Sequence, residues 1–287
     1  MTTIWELDFY SRPILDEHGK KVWEVVVCES PINIKAEPDK LFRFAEYCAS
    51  TEVNSERLVQ ALKTAIAHAP NPPSRIRFFR QAMKNMITKA CEDLDLPAVL
   101  SRRTYALNQW LQQRLEEEYS KHPGFQPGAT SSVSFAATAA QALPDALVGQ
   151  KWAFVSLEAS ALEDMNEWAI DFSEAFPLSL IKLPPDAIVP GLIIFSSRAV
   201  PMAGWMSGLE LGYLKFDRES APRLLLETGV SDRWILANLN NSQLWAEAQN
   251  FETAKQQANG VHFLAIQANP ETEAFAGFWL LQETVLA

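Results

Sequence analysis

The chain has 287 residues, 48% hydrophobic and 21% charged, with nine Trp and a formal net charge of −10. That apolar content excludes a disordered chain, and the length accommodates two domains of ordinary size. The most apolar run, "AIVPGLIIFSSRAVPMAGWM", is interrupted by Pro190, Arg198 and Pro201, which excludes it as a membrane span. Cys28, Cys48 and Cys91 are odd in number and lack CxxC spacing, which excludes a disulfide frame and a zinc site and predicts reduced, mostly buried thiols.

In chain order, "MTTIWELDFYSRP" enters strand-like sequence with no signal pattern, so the expected compartment is the cytoplasm. "IWELDFY" (4–10) and "KVWEVVVC" (21–28) alternate apolar and polar around a turn at Gly19, which predicts an antiparallel hairpin. Leu41, Phe42, Phe44 and Ala45 predict a helix over 38–48. Leu58, Ala61, Leu62 and Ala65 predict another over 54–68. Next come a short strand at 74–79, a helix at 81–94, a strand at 97–101 and a helix at 102–119. This is the spacing of a βαβα unit with parallel strands.

Residues 122–149 are rich in small residues, Gly and Pro, and place the domain boundary between 122 and 123. Beyond it, "KWAFVSLEA", "GLIIFSS", "GLELGYLKF", "RLLLET", "RWILANL" and "VHFLAIQA" predict strands, with a helix at 242–258. "GWMSGLELG" also reads as strand. The fold class is α/β in the α+β sense. An N-terminal mixed sheet over 1–122 carries the hairpin and the βαβα unit, and a second α/β domain spans 123–287.

Charge divides along the same line. Residues 1–122 are balanced, whereas residues 123–287 hold 8 Lys and Arg against 18 Asp and Glu. A polyanion therefore meets the first domain and is repelled by the second, which is left to bind protein partners. Between Glu56 and Glu92 no acid occurs, while Arg57, Lys63, Arg75, Arg77, Arg80, Lys84 and Lys89 do. Helix 81–94 starts beside Arg80 and Lys84 and ends in acids. Helix 102–119 starts with Arg102 and Arg103 and ends in Glu116, Glu117 and Glu118. Both orders oppose the helix macrodipole, at about 0.3–1 kcal/mol per exposed charge.

An anion at the two helix starts accounts for that order. If strands 74–79 and 97–101 are parallel, their carboxyl ends and both helix N-termini share one edge. Arg75, Arg77, Arg80, Lys84, Arg102 and Arg103 are the candidate phosphate contacts there. Phe79 (or its neighbour Phe78) and Tyr105 are the candidate base-stacking groups for single-stranded RNA. The same residues also fit a solvated basic face or partners of acids elsewhere in the fold, and one of Phe78 and Phe79 must point into the core.

Glu6, Asp8 and Glu24 share one hairpin face and form a second constellation. They fit either the acidic half of a metal-dependent nuclease site or a solvated outer face. The lysine of restriction-type nucleases is absent, its place being taken by Val26. His18, His68, His122 and His262 lack ligand spacing and read as solvated. No nucleophile–base pair, nucleotide loop, metal or cofactor site is read, so a non-enzyme is expected.

"IWELDFYSRPILDEHGKKVWEVVVCES", "RIRFFRQAMKNMI" followed by "SRRTYALNQWL", and "GFWLL" near the end together resemble the Tab/Atab family of cyanobacterial and chloroplast proteins. The resemblance covers essentially the whole chain. It implies an RNA-binding factor that supports translation of a photosystem I message of the psaB type through its 5′ untranslated region. It also implies a functional role for the C-terminal signature Trp279, Leu280 and Leu281. By pattern alone these three read as a last strand packed in the core.

Overall fold

The structure is a computed structural model that describes residues 3–128, 133, 135–136, 138–218 and 221–286. Two compact units emerge. The first comprises residues 1–31, 37–134 and 285–287, and the second comprises 32–36 and 135–284.

Unit 1 is built on a five-stranded sheet. Its strands are β1 (Ile4–Leu15), β2 (Lys21–Glu29), β3 (Arg43–Cys48), β4 (Arg75–Phe78) and β5 (Ala98–Leu100), in the order β3-β2-β1-β4-β5. The hairpin is formed as the alternation predicts. Gly19, at φ 72°, takes the left-handed turn position that a side chain resists. β1 runs parallel to β4, and β4 runs parallel to β5. Helix α1 (Ser55–His68) connects β3 to β4, α2 (Lys84–Glu92) connects β4 to β5, and α3 (Tyr105–Glu117) follows β5. Asn54 caps α1 by accepting from the Arg57 amide at 2.7 Å.

Odd positions of the hairpin, Trp5, Leu7, Phe9, Val25 and Val27, are buried against Leu58, Leu62 and Ala65 of α1 and Ile87 and Ala90 of α2. That face is an ordinary apolar core. The even positions lie beneath α3.

The helix expected at 38–48 is not formed. A 3₁₀ turn at Pro38–Lys40 leads instead into β3, which is antiparallel to β2. The apolar positions of this segment fit either period. Tertiary pairing decided the outcome, because β2 requires an outer neighbour and Phe42 stacks on Trp5 at 5.1 Å.

Unit 2 has two mixed sheets. One contains β7 (Lys151–Glu158), β9 (Ile188–Phe195), β13 (Val261–Gln267), β14 (Phe275–Gln282) and β8 (Ile170–Glu174), in that order. The other contains β10 (Leu211–Asp217), β11 (Arg223–Thr228), β12 (Asp232–Asn238) and the short β6 (Gln141–Ala142). Leu192, Ile194, Leu264, Ile266, Trp279 and Leu281 of the first meet Leu214, Leu224 and Leu226 of the second. Helices α5 (Ala199–Ser207) and α6 (Ser242–Gln257) add Met202, Met206 and Phe251 to this core, and α4 (Ala159–Leu162) is a single turn after β7.

Two expectations for this unit are corrected, and one strand was missed. "GWMS" belongs to α5. Pro201 sits in its first turn, where proline is tolerated, and Gly208 follows its end. Its mean hydropathy is high on every side, so no helical period was visible. β8 was not foreseen. His262 is fully buried inside β13, unlike the exposed His18, His68 and His122.

Candidate nucleic-acid interface

The parallel β4–β5 pair brings the carboxyl ends of both strands and the starts of α2 and α3 to one edge, as the spacing requires. The candidate cations are distributed unevenly over it. Arg75 begins β4 opposite Ile4, so it lies at the other end of the strand, roughly 16 Å from Arg80 at the rise per residue of a strand. Lys84 is exposed and Arg102 is half-buried. Arg77, Arg80 and Arg103 are buried, at 2%, 8% and 3% exposure.

Arg80 turns inward. Its Nε donates to Asp8 Oδ1 at 2.6 Å, and its guanidinium lies 4.0 Å from the Tyr10 ring centre and 4.8 Å from that of Phe79. Phe79 is fully buried beneath it. Tyr105, also buried, has the Arg103 guanidinium 5.5 Å from its ring. In this arrangement these two rings support arginines from within the fold.

The three hairpin carboxylates explain the inward turn. Glu6, Asp8 and Glu24 are buried to within 1% of completeness, so the solvated face expected for them is overturned. Arg12 bridges two of them, donating from Nη1 to Asp8 Oδ2 and from Nε to Glu24 Oε2, both at 2.8 Å. Glu24 also receives Nη2 of Arg114 and, at 2.5 Å, the Tyr119 hydroxyl. Arg114 in turn donates from Nη1 to Glu118 at 2.9 Å.

Burial alone would raise the Asp8 carboxyl. Arg80 and Arg12 outweigh it and hold the group below the usual carboxylate value. Burial, together with Glu24, pushes the Tyr119 phenol up, against the opposing pull of Arg12 and Arg114. Asp8 and Glu24 each face two guanidinium groups, which offsets the several kcal/mol that a lone buried charge would cost.

Glu6 answers the question raised by the charge order of α3. Its Oε2 accepts the Leu107 amide, in the first turn of that helix, at 2.7 Å, and its Oε1 accepts the Ser30 hydroxyl at 2.7 Å. The anion at the start of α3 is therefore a carboxylate from β1, supplied by the chain itself. The metal-site reading of Glu6, Asp8 and Glu24 is corrected by the same geometry. Asp8 and Glu24 are taken up by guanidinium groups, and the described residues contain no cluster of three acids, His or Cys that could hold a metal.

Sequence reasoning missed Arg12, Arg114 and Tyr119. Arg12 shares the even parity of Glu6 and Asp8, and Arg114 falls four residues after Trp110 on the inward stripe of α3. The signal was present, but a rule that places arginine in solvent hid it. At the other end of the chain, Trp279, Leu280 and Leu281 lie in β14, hydrogen-bonded between β13 and β8, and are at most 3% exposed. Gly277 leaves room for the Trp279 ring, since a Cβ there would stand 2.3 Å from its edge.

The chain is thus a two-unit α+β protein whose acids are spread evenly along its length and whose cations are concentrated in the first 122 residues, so that the net negative charge falls on the rest. Residues 4–114 match the N-terminal domain of RNA-binding protein Tab2/Atab2, and residues 130–282 match its C-terminal domain. The chain belongs to this Tab2-like family of RNA-binding proteins.

Two relatives are "Protein TAB2 homolog, chloroplastic" from Zea mays and from Arabidopsis thaliana. They are 41% and 39% identical to this chain over 96% of its length, and the matches span 70% and 74% of theirs. No helix among the described residues is long and apolar enough to cross a membrane. A solved assembly, the simian T-cell lymphotropic virus intasome with PP2A regulatory subunit B56 gamma, overlaps 41% of this chain and 40% of its own matched chain. At 17% identity and a TM-score of 0.29 it carries no structural argument.

Proposed function

We propose that this protein binds the 5′ untranslated region of a photosystem message of the psaB type, without catalysis, and so supports photosystem biogenesis in the cytoplasm of a cyanobacterial cell. The observation that carries the reading is family membership over both units, each matching an RNA-binding protein domain. The charge division agrees with it, since the acidic excess lies wholly in residues 123–287 and leaves unit 1 as the side a polyanion approaches. Within unit 1, Lys84 is the exposed cation of the carboxyl edge, with Arg102 half-buried beside it, and Arg75 offers a contact at the opposite end of β4. Arg77, Arg80, Arg103, Phe79 and Tyr105 contribute from beneath, by shaping the edge and its potential.

The test uses Lys84→Glu with Arg102→Gln, checked for retained fold by circular dichroism, because reversal of the buried Arg103 would disturb the fold itself. A psaB leader transcript is titrated at several salt concentrations. Wild-type affinity should fall with log salt by roughly 0.7 per phosphate contact, and the double variant should bind at least tenfold more weakly with a shallower slope. Unchanged affinity and slope would remove the carboxyl edge from the RNA surface.

A further inference from the structure

β7 stands at the end of its sheet, with β9 on one side among the described residues. It is eight residues long and half-exposed, and six residues without charge, Pro or Gly, "WAFVSL", separate Lys151 from Glu158. Proteins usually blunt such an edge with lysine, proline or a bulge, because it offers a free row of amides and carbonyls. This edge has none of these protections in its centre. The β7–β9 ladder continues to Ala159, whose amide donates to Ala187 O at 2.8 Å in the same register. Antiparallel ladders alternate, so the odd residues turn their backbone groups toward β9. The backbone groups of Phe154 and Ser156 then face away from the sheet.

A groove of about 280 Å³ opens beside them, between β7, the start of β9 and α6. Its wall is apolar, with Phe154, Ile188, Pro190, Phe251 and Ala254, and Glu247 stands on its rim. Phe154 and Phe251 pack at 5.2 Å, and Ile188 remains 51% exposed. We propose that this edge and groove take an extended, basic peptide segment of a partner protein as a sixth strand. Main-chain hydrogen bonds to Phe154 and Ser156 would fix it, with an apolar side chain at every second position in the groove. The intervening Lys or Arg side chains would turn to the opposite face of the sheet, where the net acidic field of the domain favours them. The same field repels RNA and disfavours a second copy of this unit, which would bring two acidic surfaces together.

The probe is an eight-residue fluorescent peptide alternating Lys and Val, titrated against the full chain by anisotropy. Controls are a peptide of the same composition in two blocks and an alternating peptide N-methylated at every second amide. Hydrogen exchange follows the β7 amides. The alternating peptide should bind at least tenfold more tightly than either control and should protect Phe154 and Ser156. Ile188→Ser, at an exposed position, should weaken it at least fivefold. Ser156→Pro, which removes an outward donor, should weaken it at least tenfold. If Ser156→Pro unfolds, the N-methylated peptide supplies that reading. Equal binding of the block peptide, or indifference to both Ile188→Ser and N-methylation, overturns the proposal. So does a concentration-dependent dimer that Ile188→Ser abolishes, or protection of β7 by a leader transcript.

Discussion

The two faces of β1 show opposite ways of filling a protein interior. Trp5, Leu7 and Phe9 point one way into a core of hydrocarbon, and Glu6, Asp8 and Arg12 point the other way into a layer of matched charges. Burial is nearly complete on both sides. The apolar face gains from the area removed from water, roughly 25 cal/mol per Å², and tolerates loss in increments. The charged face gains little net energy from desolvated ions and depends on every partner being present. Burial alone therefore does not tell how a position responds to change. The chemistry of its neighbours does.

The largest contrast should come from Glu24→Gln against Leu7→Ala, both followed by urea unfolding. Glu24→Gln keeps the shape but leaves Arg12 and Arg114 buried without their shared counter-ion, at about 3–5 kcal/mol. Leu7→Ala should cost about 2–5 kcal/mol through lost transfer and a cavity. Only the first should recover when the whole pairing is made apolar, as in Glu24→Leu with Arg12→Met and Arg114→Met. A Glu24→Gln loss below about 1 kcal/mol would mean that the charged layer is dispensable.

Acid separates the two units in a similar way. In unit 2, His262 is buried and neutral. Its Nε2 accepts the Leu214 amide at 2.8 Å and its Nδ1 donates to Gly260 O at 2.8 Å. Burial, reinforced by nearby Lys255, holds its pKa well below the ordinary value of 6.5. The unfolded chain takes up this proton first, so stability is full above pH 6.5 and falls as pH drops below it, by up to about 1.4 kcal/mol per unit. In unit 1, Asp8 is lowered from 3.8, so its contribution is present above that value and is lost only as pH falls through the lower folded value. Hydrogen exchange between pH 7 and 4.5 should therefore show unit 2 loosening before the Asp8 network. His262→Gln should flatten that dependence, and an unchanged slope would assign it to other groups.

The periodicities made most of the framework legible. The hairpin, α1, the βαβα unit and α6 follow from spacing, because each buries one face at a clear period of two or 3.6 residues. The helix expected at 38–48 and the strand expected around Gly204 failed where apolar residues fit both periods or surrounded the element. The candidate site was legible in a different sense. The inverted helix charges pointed to an anion, and at α3 the chain supplies one, but composition cannot tell an external phosphate from an internal carboxylate 101 residues away in sequence. Distance along the chain hid Glu6 from α3. Reading the hairpin carboxylates as a solvated face hid which acids the arginines would meet.

The smallest predicted effect tests that last distinction. Glu6→Gln retains an oxygen for the Leu107 amide but removes the negative charge facing the start of α3 and the adjacent Arg77, its neighbour across the β1–β4 ladder. A charge at a helix start contributes about 0.3–1 kcal/mol at the surface and up to about 2 when partly buried, so the variant should lose about 1–2 kcal/mol in urea titration. α3 amides should exchange faster while the α1 and α2 amides on the apolar face stay protected. The cationic potential at the carboxyl edge also rises by one charge, so affinity for a leader transcript should be equal or slightly higher at low salt and converge with wild type as salt increases. If phosphate alone, without RNA, restored the lost stability of Glu6→Gln but did not stabilise wild type, the carboxylate would be acting as the resident anion of that helix. If phosphate stabilised both equally, an external anion site would exist beside Glu6, and the internal balance described for α3 would be incomplete.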